Sequence, residues 1–383
     1  MLRWRLAALL GVVVCSALAW KLFLPDAGSG RNDFLALYAG GTLAGTSEIY
    51  NPQSVRDVQL HAIGEWGDSL QFSRLPYYAL VLKPLTLLPY RWAYLIWEIL
   101  SVAALAGFVA LWPSTNERYK WVACCWSLPA FVALFDGQDV SFLLLWIALA
   151  VCAHRNGRPV LSGALLALCA AKYHLVVLVP LVIIAQRRWR MAAGAAAAGS
   201  VLLAISFAVA GPAWPWRYYA VITDARIHVG VRSMPNFHAM LAGLPFSTIL
   251  EILASGAVAA LVFVAARRQP LFEWSMALAL VAGILVSFHS YVMDCALLLP
   301  PILLVLDSVM AAPLRIAALV LATPIPWFFL NLPAPLPTAT RLLLVFLVLR
   351  MAWPAARGAA HASAATSEIG SLARTAPASS TRA

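Results

Sequence analysis

Pro159 to Ala185 reads PVLSGALLALCAAKYHLVVLVPLVIIA, and the way this stretch divides decides the architecture. Taken as one helix it is long enough to cross a bilayer, but Lys172 then lies near mid-membrane at a cost of roughly 2.5–3.5 kcal/mol or more. Arg187, Arg188 and Arg190 would also fall on the side that the positive-inside rule leaves poor in basic residues. We therefore divide the stretch at Ala171-Lys172-Tyr173-His174. Each half is about 12 residues, or roughly 18 Å at 1.5 Å per residue, too short to span and stable only beside a water-filled cleft. Val140 to Ala153 is similarly short.

Working outward, the 383-residue chain is 62% hydrophobic and only 11% charged, with a mean hydropathy of +0.82. Soluble domains carry about 25% charge, so a soluble globular protein is excluded. Apolar runs begin at Leu6 and near Trp92, Trp121, Val140, Pro159, Leu175, Met191, Ser247, Leu271, Val292, Pro313 and Pro337, giving about twelve crossings. The expected fold is all-α, a polytopic transmembrane helical bundle with some helices short or broken. Leu6 to Leu24 is read as a retained first helix, although Ala17-Leu18-Ala19 resembles a signal-peptidase site.

The basic clusters test this count, because a helix wrongly merged or split inverts every later loop. Arg118/Lys120, Arg155/Arg158, Arg187/Arg188/Arg190, Arg267/Arg268, Arg315 and Arg350/Arg357 all fall on the side of Arg3 and Arg5, which fixes that side as cytoplasmic. The net charge of +11 is thus an orientation signal, and nucleic acid is discarded as a partner. One polytopic domain is expected over residues 1–356, with a large first external loop at 25–90 and a second at 211–246. Residues 357–383, rich in Ala, Ser, Thr and Arg, read as a disordered cytoplasmic tail. The 6 cysteines have neither metal-site spacing nor a disulfide pattern.

Sorted by side, the unusual polar residues are nearly all external: Asp33, Asp136-Gly137-Gln138-Asp139, Lys172 with His174, the His228/Arg232/His238 loop, and His289-Ser290-Tyr291 with Asp294. One outward-facing site embedded at the bilayer surface is the simplest account. Plainer readings stand beside it. Asp33 can be an N-cap for Phe34-Leu35-Ala36-Leu37-Tyr38, and Asp136 to Asp139 a turn with Asp139 capping the next helix. Lys172 and His174 can snorkel to the interface, and His289 can pair with Asp294.

In order along the chain, Asp33-Phe34, Tyr38-Ala39, Gly45, Ile49-Tyr50-Asn51-Pro52, Lys83-Pro84-Leu85, Leu88-Pro89, Ala93 to Trp97, Gly137-Gln138, Gly157-Arg158-Pro159, Ser162-Gly163, Lys172, Ser287-Phe288-His289 and Tyr291-Asp294-Leu297-Leu298 resemble the motifs of glycosyltransferase family 87. These are the polyprenol-phosphate-mannose-dependent mannosyltransferases of the GT-C membrane superfamily. The sequence departs from the family at Arg74-Leu75-Pro76-Tyr77, where an aromatic-Pro-Pro sequence is usual, and at Tyr173, where Lys172 is usually followed by Pro.

The resemblance implies an inverting transferase in a bacterial inner (plasma) membrane with its site on the outer, periplasmic side. It would move a hexose, foremost mannose, from a polyprenyl-phosphate donor to a lipid or glycan acceptor. Asp33 matches the acidic residue that activates the acceptor hydroxyl. Lys172, His174, His289, Arg232 and His238 are candidates for holding the donor phosphate, and Tyr38, Gln138, Asp139, Tyr291 and Asp294 for the acceptor or for support. No cofactor and no metal ligands are expected, while Asp136 and Asp139 leave room for a divalent ion. From the residues alone three other classes stay open, one of them a purely structural assembly subunit. A transporter or lipid flippase predicts repeat symmetry and polar residues on both faces, and an acyltransferase using His289 or His174 leaves Asp33 dispensable.

Overall fold

The computed structural model describes residues 2–27, 29–64, 67–114, 116–224, 230–308 and 310–353. Among these residues every regular element is helical. The expected tail at 357–383 and His228 lie outside them.

The first apolar run is one helix, α1 (Leu2–Ala27). The expected first loop is itself largely helical, with α2 (Phe34–Thr42), α3 (Pro52–Ile63) and α4 (Pro76–Leu82). Then come α5 (Tyr90–Leu111), α6 (Glu117–Cys125), α7 (Leu128–Phe135) and α8 (Val140–Arg155). The opening stretch forms α9 (Pro159–Leu168) and α10 (Val179–Ala185), joined by a 3-10 turn, Cys169–Leu175. After α11 (Trp189–Ala210), α12 (Trp214–Ile222) and α13 (Phe237–Leu241) occupy the second expected loop. The chain ends with α14 (Ser247–Arg268), α15 (Phe272–Val286), a 3-10 turn Met293–Leu298 running into α16 (Leu299–Asp307), α17 (Ala312–Leu321), α18 (Ile325–Phe329) and α19 (Leu336–Ala352).

Among the described residues four helices are long and apolar enough to cross a bilayer unaided, within α1 and over α5, α11 and α14. The last three have 22 residues each, which at 1.5 Å per residue covers a hydrocarbon layer of about 30 Å. The other expected crossings are shorter or broken. The run near Trp121, for example, is α6 and α7 parted at Trp126-Ser127. Short elements of this kind are tolerated at membrane depth only when protein covers them. Burial follows that logic. Almost every residue of α15 is buried, so it forms the core, whereas α11 and α14 leave Val201, Leu203, Ile252 and Leu253 exposed as a lipid-facing surface would. The chain is a multi-pass membrane protein.

The break expected at Lys172 is present: its backbone (φ −128°, ψ 59°) leaves the helical region inside the 3-10 turn. Gly283 of α15 makes room for it, because a Cβ there would lie 2.1 Å from the Leu175 carbonyl oxygen. The basic clusters collect at the opposite end of the same helices. Arg155 at the end of α8 pairs with Glu273 at 2.9 Å, and Arg188, before α11, lies over the Phe272 ring at 5.2 Å. This end ties α8, α11 and α15 together. The other end, where α8 begins and α9 and α15 finish, carries the polar residues.

Candidate functional site

The turn from Asp136 to Asp139, between α7 and α8, is the centre of the site. Gly137 has φ +67°, and a Cβ there would lie 2.6 Å from the Cβ of Phe34, so glycine both makes the turn and lets the start of α2 touch it. Two bonds to α5 fix the turn: the Trp97 indole donates to the Gly137 carbonyl at 2.8 Å and the Tyr94 hydroxyl to the Phe135 carbonyl at 3.2 Å. The backbone N–H of Asp33 donates to the Asp136 carbonyl at 2.9 Å, which seats Asp33 against it.

Asp33 occupies the N-cap position of α2, yet its side chain makes no capping bond. Asn32 accepts from the Phe34 N–H instead, at 3.1 Å, and the Asp33 carboxylate accepts from the Gln138 side-chain amide. The capping reading is therefore corrected, and likewise for Asp139, which precedes α8 without capping it. Asp139 is fully buried and spends its carboxylate on Arg74, with Nε to Oδ2 at 2.8 Å and Nη2 to Oδ1 at 3.1 Å.

Lys172 does not snorkel. It is buried, and its ammonium meets Gln138 Oε1 at 2.6 Å, Asp294 Oδ1 at 2.7 Å and Asp139 Oδ1 at 3.4 Å. The contacts to Gln138 and Asp294 are hydrogen bonds, and Asp139 adds an ion pair at longer range. The other oxygen of Asp294 accepts from the Tyr291 N–H at 2.9 Å, so this carboxylate belongs to Lys172 and the Tyr291 backbone.

Arg74 is the residue that sequence reasoning missed. It reaches the site because its segment is pinned from three sides. The Gln59 amide donates to the Leu70 carbonyl at 2.5 Å and accepts from the Leu70 N–H at 3.1 Å, Phe72 is buried in the core, and the Tyr50 hydroxyl donates to the Arg74 carbonyl at 2.7 Å. The available signal was the departure from the family pattern at this position.

A cavity of about 580 Å³ opens over the cluster, within the range of small-molecule sites. Asp33, Asp136, Gln138, Lys172 and Asp294 form its ionic part, with His174, His289 and Tyr291 beside them. The rest comes from α3 and the segment before Arg74, where the amides and hydroxyls of Gln53, Ser69, Gln71 and Ser73 stand beside Arg56 and Asp68. His174 and His289 stack edge to face at 6.2 Å, and His289 packs on Tyr291 at 4.9 Å. A second, apolar crevice of about 370 Å³ lies behind the broken turn, lined by Tyr173, Val176, Ala195, Gly199, Met276 and Leu280.

Four expected site residues do not line the large cavity: Asp139, buried behind it against Arg74, and Tyr38, His238 and Arg232. Tyr38 donates its hydroxyl to the Leu88 carbonyl at 2.9 Å, and His238 meets Glu251 of α14 at 2.9 Å. The Arg232 carbonyl is held by the Arg341 guanidinium. Among the described residues no group of three or more His, Cys, Asp or Glu side chains is placed to hold a metal ion, and all six cysteines are free thiols.

Asp33 lies outside the spanning helices, and burial pushes its carboxyl above the ordinary range. Lys172 and Arg74 oppose the rise, while Asp294 and Asp139 add to it. Asp136, in the interhelical turn, is pushed up further, by burial first and then by Asp33. Such a site can accept a proton in surroundings that hold water back and keep positive charge within reach.

A curated protein of Mycolicibacterium smegmatis, the polyprenol-phosphate-mannose-dependent alpha-(1-2)-phosphatidylinositol pentamannoside mannosyltransferase, is 30% identical to this chain over 237 residues. That alignment covers 59% of this chain and 55% of the relative, so the chain spans about half the length of the curated relative it matches. No solved structure matches the chain. The glycosyltransferase family 87 profile matches residues 76–290, a region that includes the Asp136 to Asp139 turn and Lys172. The chain belongs to glycosyltransferase family 87.

Proposed function

We propose that this chain is an inverting hexosyltransferase of the bacterial inner membrane. It moves a sugar, foremost mannose, from a polyprenyl-phosphate donor to a hydroxyl of a lipid or glycan acceptor on the outer side. The observation that carries this reading is the Asp33 carboxylate set at the wall of a polar cavity and backed by Gln138, Lys172 and Arg74. In the step proposed, Asp33 takes the acceptor hydroxyl proton as that oxygen attacks the anomeric carbon. The bond from that carbon to the phosphate oxygen breaks, and its electron pair leaves with polyprenyl phosphate.

The ionic part of the cavity receives the donor phosphate. His174 and His289 supply contacts there, and the positive charge of Lys172 acts on the phosphate through the field. The neutral amides and hydroxyls of Gln53, Ser69 and Gln71 suit the hydroxylated part of the acceptor. The apolar crevice adjoins Lys172 through Tyr173 and takes the first isoprene units of the donor. In this reading the phosphate leaves toward Lys172, and no metal ion is invoked.

The test is transfer of radiolabelled mannose from polyprenyl-phosphate-mannose to membrane lipid extract by the purified protein, wild type against Asp33→Asn. Transfer by the wild type with loss of at least ~100-fold in the folded variant is expected, within the usual contribution of a general base. Equal transfer by both would remove Asp33 as the base. No transfer from any of several polyprenyl-phosphate sugars would favour the transporter reading.

A further inference from the structure

Gln138 stands between the cations and the base and is only 5% exposed, so its amide is held mainly by protein partners. Its Oε1 faces the Lys172 ammonium at 2.6 Å and the Arg74 guanidinium at 3.5 Å, while its amide nitrogen faces Oδ2 of Asp33. Turning the amide over would set its NH₂ against two cations and its oxygen against a carboxylate. Both contacts would be repulsive, so the orientation is fixed by its surroundings.

We propose that Gln138 is a positioning residue for Asp33: Lys172 and Arg74 set the amide, and the amide in turn holds one carboxylate oxygen so that Oδ1 is left to take the acceptor proton. This rests on the reading of Asp33 as the base. Lys172 thereby acts on the base through Gln138 as well as on the phosphate through its charge.

The arrangement joins four separate parts of the chain. Asp33 precedes α2, Arg74 precedes α4, Gln138 lies in the turn before α8 and Lys172 in the 3-10 turn after α9. The groups that bear on the Asp33 carboxyl from the packed elements are Arg74, Asp136, Asp139, Lys172 and Asp294, with His174, His289 and Tyr291 lining the same cavity. An amide donating to a carboxylate favours its ionised form, so losing the donor raises the pH at which the base becomes competent.

The experiment is the pH dependence of kcat/KM, with separate KM values for donor and acceptor, for wild type, Gln138→Met, Gln138→Glu and Asp33→Asn. Gln138→Met keeps the length and removes both polar atoms. Its acid limb should move up by about one pH unit, with kcat at neutral pH down ~10- to 100-fold and both KM values within about threefold, as for a lost hydrogen bond to a charged group. Gln138→Glu keeps the acceptor for Lys172 but sets a second carboxylate against Asp33, so its limb should move at least as far. If Gln138→Met does not fold, the isosteric Gln138→Glu decides the matter.

A limb and a kcat that stay at wild-type values would overturn the inference, as would a rise in KM alone, which would make Gln138 a substrate contact. Asp33→Asn separates the two levels. If it transfers like wild type, the base reading fails. If it is inactive while the Gln138 variants behave as wild type, only the positioning role fails.

Discussion

Asp139→Asn is the sharpest probe of how the charges are held. Asp139 is wholly buried, the Arg74 side chain is 11% exposed, and two bonds of 2.8 and 3.1 Å join them. Neutralising Asp139 also removes a 3.4 Å contact from Lys172, but Lys172 keeps Asp294 at 2.7 Å. The charge left without a counter-ion is therefore that of Arg74. Breaking a buried pair by removing one partner costs about 3–5 kcal/mol. The asparagine keeps the volume and one hydrogen bond worth about 1 kcal/mol. A net loss of about 2–4 kcal/mol is expected, against near-neutrality for Arg74→Met combined with Asp139→Leu, which removes both charges. Unfolding of the purified protein in mixed micelles, titrated with SDS and followed by tryptophan fluorescence, measures both. A single variant within ~0.5 kcal/mol of wild type would refute the reasoning, since most surface substitutions cost no more than that. A double variant as unstable as the single one would refute it too.

Two further outcomes follow from the geometry. Burial holds Asp33 above the ordinary carboxylate range, so wild-type kcat/KM should fall with decreasing pH at a point clearly above about 4, where an unperturbed aspartate protonates, because the protonated form cannot act as a base. A limb at or below that value would contradict the burial argument. Gly199 lines the apolar crevice and has nothing within 4 Å of where a Cβ would sit, so Gly199→Leu should fill the crevice without a clash. Donor KM should rise at least ~10-fold while the unfolding midpoint stays put, with Gly256→Leu on α14, equally open, as the control. Unchanged donor KM would place the lipid chain elsewhere.

The helix boundaries were legible because a bilayer demands apolar runs, and a lysine inside one has few physical outcomes: the break at Lys172 could be read before any coordinates. Asp33, Gln138 and Asp294 were visible for the same reason, as polar groups next to apolar runs. Arg74 was not. It sits among Ser69, Gln71 and Ser73, a context that reads as solvated, and its partner Asp139 is 65 residues away. Arg232 and His238 lie away from the large cavity. They were grouped with the site because they share its expected side, but nothing periodic fixes where a loop residue lands, and the structure ties that loop to α19 and α14. The plainer readings of Asp33 and Asp139 as caps failed because a capping bond competes with stronger, charge-assisted partners that only tertiary structure supplies.

The four residues from Asp136 to Asp139 touch α2, α5, the Arg74 segment and the Lys172 turn at once. Adding or deleting one residue there would rotate α8 by about 100° relative to those partners, at 3.6 residues per turn. No compensating change elsewhere could restore all four contacts together. Working descendants of this chain should therefore keep this short connection free of insertions and deletions. Library selection with single-codon indels placed along the gene would display that directly, as a narrow zero at Asp136 to Asp139.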